Sequence, residues 1–144
     1  MWQYKGYHFP QDAELLVVLF FLLIYYSLLL RFTSIQNILN RITRTGNNLK
    51  KQYRSTTIPE IMLDKVWRGC NFFLGRVFRT SKPCLRRTLV MYRWCCHYGI
   101  KANVVIGVCK DGTAINGHSW LLINGTPLKE DMEVLRKYTP MLER

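Results

Sequence analysis

The period of the hydrophobic pattern changes from helical to strand-like at Gly99, and that change limits the fold more than any other feature. Before it, apolar residues recur at three- and four-residue steps. Ile35, Ile38, Leu39 and Ile42 make one stripe; Leu63, Val66, Trp67, Cys70, Phe73, Leu74 and Val77 make another. Such spacing keeps side chains on one face of a 3.6-residue helix. After Gly99 come short runs of strand character, 104–108 and 118–123, with turn signals at Asp111-Gly112 and Asn124-Gly125. A strand returning through Leu128 and a terminal helix over 132–138 complete the pattern. Helices first and a small antiparallel sheet second predict an α+β fold.

Local signals place the helix ends. Thr33 or Ser34 can cap the helix that carries Ile35, and Thr45-Gly46-Asn47-Asn48 is expected to end it. A polar, basic connector then runs to about Thr57, and Pro59 opens the next helix. Residues 1–56 are expected to hold a hydrophobic helix, an amphipathic helix and this connector, with 57–144 as the functional domain. Ser81 suits the N-cap and Pro83 the first turn of a helix that puts Leu85, Leu89, Tyr92 and Cys96 on one face and stops at Gly99.

Residues 15–30 are apolar apart from Tyr25, Tyr26 and Ser27, between Glu14 and Arg31. Sixteen residues make a helix of about 24 Å, short of the roughly 30 Å hydrocarbon core of a bilayer. If the run spans, its basic C-terminal flank keeps the rest of the chain in the cytoplasm. If it does not, the domain or a partner must cover it, and contact with a membrane surface is one way to do so.

The net charge of +12 is uneven: thirteen Lys or Arg lie from Arg31 to Arg87, against Glu60 and Asp64. An acidic partner or surface suits that stretch. No helix-turn-helix, zinc-finger or RNA-binding signature accompanies it, which ranks nucleic acid below anionic lipid and acidic peptide. Five cysteines without framework spacing, and no cleavable signal pattern, point to a reducing, cytoplasmic setting without disulfides. Cys95, Cys96 and His97 are consecutive and point in different directions on a helix, so no metal site is expected, and no cofactor motif appears.

Chemistry is carried by Cys84 and, 34 residues later, His118. A lone cysteine is more often a core residue than a nucleophile. Here the thiol heads a helix, where the dipole favours the thiolate, and Arg86 and Arg87 in the next turn push the same way. His118 begins a strand of the adjoining sheet, and Trp120, two residues on and on the same face, can shield an ion pair from water. The third residue depends on the hairpin loop. A two-residue Asn124-Gly125 loop puts Asp131 across from His118; a three-residue loop that includes Ile123 puts Glu130 there. Asn124 is at the tip, about 20 Å away along the strand. The backbone N–H of Cys84 is a candidate oxyanion donor.

The blocks Pro83-Cys84-Leu85-Arg86-Arg87, Tyr98-Gly99-Ile100-Lys101-Ala102, Ile106-Gly107-Val108 and Gly117-His118-Ser119-Trp120 stand in this order over residues 60–130. In them the chain resembles the transglutaminase-like leader peptidases of lasso-peptide biosynthesis. Lys101 replaces that family's proline and Ser119 its alanine, neither expected to touch the chemistry. The resemblance implies a papain-like core of helices packed on a small antiparallel sheet behind a hydrophobic N-terminal helix. It implies a cysteine peptidase that cuts the leader from a ribosomally made precursor. The family's acid falls twelve residues after the histidine, at Glu130, where aspartate is more usual; Asp131 is the alternative. No winged-helix recognition domain is evident, so the resemblance implies a separate leader-recognition protein, with an ATP-dependent lasso cyclase as a further partner. By the same resemblance the N-terminal helix docks within that complex. Two other readings are an acyltransferase using the same residues and a non-enzymatic, basic, membrane-held adaptor.

Overall fold

The computed structural model describes residues 3–4, 7–8, 10–50 and 60–144. Among these residues, five α-helices and a four-stranded antiparallel sheet make up an α+β fold, with a hydrophobic helix near its start. A two-stranded ladder of β1 (Gln3–Tyr4) and β2 (Tyr7–His8) comes first.

Helix α1 (Ala13–Phe32) extends the apolar run at both ends, so its 20 residues make a helix of about 30 Å, longer than the run alone suggests. Leu19, Leu23 and Tyr26 turn inward and are fully or almost fully buried. Its start is tied down by Asp12, whose carboxylate accepts from Lys65 Nζ at 2.8 and 3.0 Å.

Helix α2 (Ile35–Lys50) opens on Ser34, whose hydroxyl accepts from the Asn37 amide at 3.4 Å. It does not stop at 45–48 as its composition suggests. Gly46 is there for packing: a Cβ built on it would lie 2.7 Å from Cys96 Cβ. Residues 51–59, which hold the rest of the connector, Pro59 and the 56/57 boundary, lie outside the described residues. Helix α3 (Glu60–Phe72) buries Leu63, Val66 and Cys70 and passes into a π-helical turn, Phe73–Val77. That wider winding keeps Leu74 buried but rotates Val77 off the stripe into solvent.

Helix α4 (Cys84–His97) is central, packing against α1, α2, α3 and the sheet. Pro83, not Ser81, holds the N-cap position, without a side-chain cap bond, so Cys84 is the first helical residue. At the other end Gly99 takes φ +74°, and the amides of Gly99 and Ile100 donate to the carbonyls of Cys96 and Cys95. This 5→2 and 6→1 pair explains why a glycine is needed there.

The sheet has the order β5-β4-β3-β6, from β3 (Ala102–Asp111), β4 (Ala114–Ile123), β5 (Thr126–Pro127) and β6 (Thr139–Glu143). Asn124 and Gly125 have φ +51° and +81°, a two-residue turn that pairs Ile123 with Thr126. The terminal helix expected over 132–138 is only one turn, α5 (Met132–Leu135), and the chain then returns as β6 along β3. Pro140 sits opposite Gly107 where the register shifts, which an edge strand tolerates.

One apolar core joins Leu19, Leu23, Ile38 and Leu39 to Val66, Leu89, Met91, Val104 and Leu121. A smaller cluster, Val105, Trp120 and Leu135 with Tyr138 against it, lies beside the strand that carries His118.

Candidate active site

Cys84 begins α4, and its amide, as a first-turn donor, has no acceptor within the helix. His118 lies midway along β4 rather than at its start, because residues 114–117 also pair with β3, and it stands opposite Gly107. Its imidazole is hydrogen-bonded to the Cys84 thiol, and its Nε2 faces Glu130 Oε1 at 3.4 Å, which leaves Nδ1 for the sulfur.

Burial alone would push the thiol up, but hydrogen bonding with His118 and Ser119 outweighs it and brings Cys84 down to about 7. The same thiol contact, then Glu130, raise His118 to about 9 against the opposing effect of burial. Between these values the pair exists as thiolate and imidazolium, the nucleophilic form of a thiol. Cys70 and Cys95, by contrast, are pushed up to about 12 by burial and stay neutral.

Glu130 arrives by a route that pairing arithmetic does not describe. The two-residue loop would put Asp131 across from His118, and the register does hold as far as Leu128, whose amide donates to Leu121 O at 2.9 Å. Lys129 then adopts φ +57°, which breaks the alternation and presents Glu130 to the imidazole. Asp131 instead caps α5, accepting from the Glu133 amide at 2.9 Å.

Arg87 was expected only to add positive charge near the thiol. Its Nη2 donates to Glu130 Oε1 at 3.0 Å, its Nη1 donates to Asn71 Oδ1 at 2.9 Å, and its guanidinium lies 3.9 Å over the Trp67 ring. Glu130 Oε1 therefore serves arginine and histidine together, with the histidine contact the longer. Arg86 is turned away from this cluster and donates through Nε to Ser27 Oγ of α1 at 2.9 Å.

Ser119, expected to be a bystander, contacts the thiol. It also joins β4 to α4: Thr88 Oγ1 donates to Ser119 O at 3.1 Å, and Ser119 Oγ lies 3.3 Å from Thr88 Oγ1, all buried. Trp120 stacks on His118 with centroids 5.9 Å apart, and Tyr138 covers another side at 5.3 Å. Gly107 makes room for both residues, since a Cβ there would meet the Trp120 ring and Tyr138 Cβ at 3.0 Å each. Tyr138 had no sequence signal, because only the unexpected return of β6 brings it here; Arg87 did stand in the cysteine block.

A cleft of about 430 Å³ opens on Cys84 and His118, with Leu30, Ile35, Leu85 and Val108 among its walls. Its size admits a few residues of peptide. A thiol of lowered pKa, an imidazole held by a carboxylate, and a helix-start amide beside a mostly apolar cleft are groups of the kind that acyl transfer through a thioester uses.

Comparison with known proteins gives a family match to the transglutaminase-like superfamily over residues 22–143. No curated protein matches the chain, and no solved structure does. The matched span takes in most of α1, all of α2, the cysteine helix and the whole sheet, so the chain belongs to the transglutaminase-like superfamily, whose members are commonly cysteine-dependent enzymes and include proteases and acyltransferases.

Proposed function

We propose that the protein is a cysteine endopeptidase in which Cys84 is the nucleophile, His118 the base and acid, and Glu130 the residue that orients His118. The observation that carries this reading is the Cys84–His118 hydrogen bond, with Glu130 on the far side of the ring. The thiolate attacks a peptide carbonyl lying in the cleft, forming a C–S bond, and the developing oxyanion meets the Cys84 amide. As the C–N bond breaks, Nδ1 of His118 gives its proton to the leaving amine. Water then loses a proton to the same nitrogen and attacks the thioester. The C–S bond breaks in this step, which releases the acid and restores the thiolate–imidazolium pair. Trp120 shields that pair from bulk water.

The substrate reading rests on the resemblance of residues 60–130 to lasso-peptide leader peptidases. On it, the substrate is a ribosomally made precursor delivered by a separate recognition protein in the cytoplasm, with a lasso cyclase acting on the released core. The cut follows a residue whose N-terminal neighbour is threonine, and the core starts with glycine. Incubating the chain with a recognition protein and precursor, with mass detection of the freed leader, tests this; cleavage undiminished in Cys84→Ala overturns it. An added amine that captures the acyl group in place of water would reassign the protein as an acyltransferase. A Cys84 that an active-site thiol probe labels no faster than Cys96 or Cys109 would favour a non-enzymatic adaptor.

A further inference from the structure

Helix α1 has two apolar faces, and the domain covers only one. Leu19, Leu23 and Tyr26 point into the core. On the opposite side Val17, Val18, Phe21, Tyr25, Leu28 and Phe32 are exposed, Phe21 by 62% and Phe32 by 85%. In angular position the two sets lie about half a turn apart at 100° per residue, so the outward set is one continuous stripe along the helix. Monomeric soluble proteins rarely expose an apolar surface of this extent.

Three observations identify what covers it. The stripe has almost nothing to offer a protein in hydrogen bonds: among the described residues of α1, Ser27 is engaged by Arg86 and Tyr26 is buried, leaving Tyr25 as the polar group between Glu14 and Arg31. A protein partner is ordinarily held by about one hydrogen bond per 100–200 Å². Basic side chains lie at the C-terminal end of the stripe and along one flank. Arg31 is at its end; Arg76 and Arg79 belong to the segment that Phe20 joins to α1 through Phe73 and Phe78; Lys82 shares a cleft with Leu30. All four are exposed, and Glu14 is the acid on that side of the helix. Phe72 and Val77, in and beside that segment, extend the apolar surface.

We infer that the outward stripe of α1, with its basic flank of Arg31, Arg76, Arg79 and Lys82, is a docking surface for an anionic lipid bilayer. The helix lies in the plane of the interface rather than crossing it, because its other face is fixed to the domain along its length. An isolated in-plane helix carries a polar half of its own; here the domain takes the place of that half. Docked this way, the end of α1 that walls the cleft at Leu30 sits next to the lipid headgroups.

The test uses the full chain and extruded vesicles of phosphatidylcholine, with or without an equal part of phosphatidylglycerol, in a sedimentation assay. Wild type should bind the anionic vesicles and leave the neutral ones largely unbound. The double variant Phe21→Glu with Leu28→Glu should lower the partition coefficient at least roughly tenfold, from the loss of two buried apolar side chains. Arg76→Glu with Arg79→Glu should weaken binding to anionic vesicles only. Far-UV circular dichroism and an unchanged Cys84 alkylation rate verify that each variant is folded. If the glutamates unfold it, Phe21→Ala with Leu28→Ala should still lower partition severalfold. Three results would overturn the inference: no vesicle binding by wild type, wild-type binding by the folded apolar variants, or a concentration-dependent dimer that Phe21→Glu splits. None of them depends on peptidase activity.

Discussion

Glu130 Oε1 is shared by Arg87 at 3.0 Å and His118 at 3.4 Å, and this sharing sets the character of the site. Arg87 and Glu130 are both largely buried, so removing one partner leaves an uncompensated charge. Arg87→Met should lower stability by about 3 kcal/mol in urea unfolding. Arg87→Lys should recover only part of it, because a lysine cannot bridge Asn71 and Glu130 while stacking on Trp67. Full recovery by lysine would reduce the site to a point charge. The thiol gives a second test. Alkylation of Cys84 by iodoacetamide should rise through about pH 7 and level off before about pH 9, followed by mass of the labelled peptide. A single rise near the ordinary thiol value would show that the ion pair does not form. In stability the two groups oppose each other. The lowered thiol favours the folded state above its unfolded value near 9 and loses that advantage as pH falls toward 7. The raised histidine favours it below 6.5 and loses that advantage as pH rises toward 9. From pH 7 to 9 the folded and unfolded forms of the pair hold the same number of protons, so its contribution to the melting temperature should be flat. Cys84 and His118 were legible as chemistry from their residue types and settings. Arg87 and Ser119 were not legible as partners, because which way a side chain turns from a helix or strand depends on what packs against it.

Among the elements, Gly46 separates composition from packing most clearly. In an exposed helix interior, Gly→Ala stabilises by roughly 1 kcal/mol. In α2 the new methyl would lie 2.7 Å from Cys96 Cβ of α4, with Cys96 O at 3.1 Å. Gly46→Ala should therefore destabilise, by about 1–3 kcal/mol in the same urea experiment, as overpacking does elsewhere. A stabilised variant would mean that α2 and α4 can part at no cost. The same glycine, with the asparagines after it, reads as a helix stop in the sequence, since local signals carry no record of a close neighbour. Helix α4 was legible from its period, and the apolar middles of the two long strands from short runs bounded by turn residues, although each strand extends beyond its run. The π-helical turn, the brevity of α5 and strand β6 were not. Each is decided by a contact with a distant segment: β6 exists because β3 offers it an unpaired edge.

Across the whole molecule, one core runs from α1 through α4 to the sheet. Leu23→Ala, in a fully buried position of α1, should thus lower the stability of the entire fold by about 2–5 kcal/mol in one cooperative transition. Loss of α1 with the Cys84 ion pair intact would show instead that the helix is a separable appendage. By itself the sequence determined the α+β class, the helix-start thiol and the presence of an imidazole on the adjoining strand, though not that His118 lies midway along β4, because periodicity, turn residues and residue chemistry are local properties. The tertiary structure decided the rest. Hairpin pairing extrapolated along the chain selects Asp131, whereas the left-handed turn at Lys129 presents Glu130 to His118 and leaves Asp131 to cap a helix. Only packing decides which face of an apolar helix is covered. Pattern cannot supply that choice in α1, where both faces are equally hydrophobic and only the positions of α3 and α4 make one of them the core.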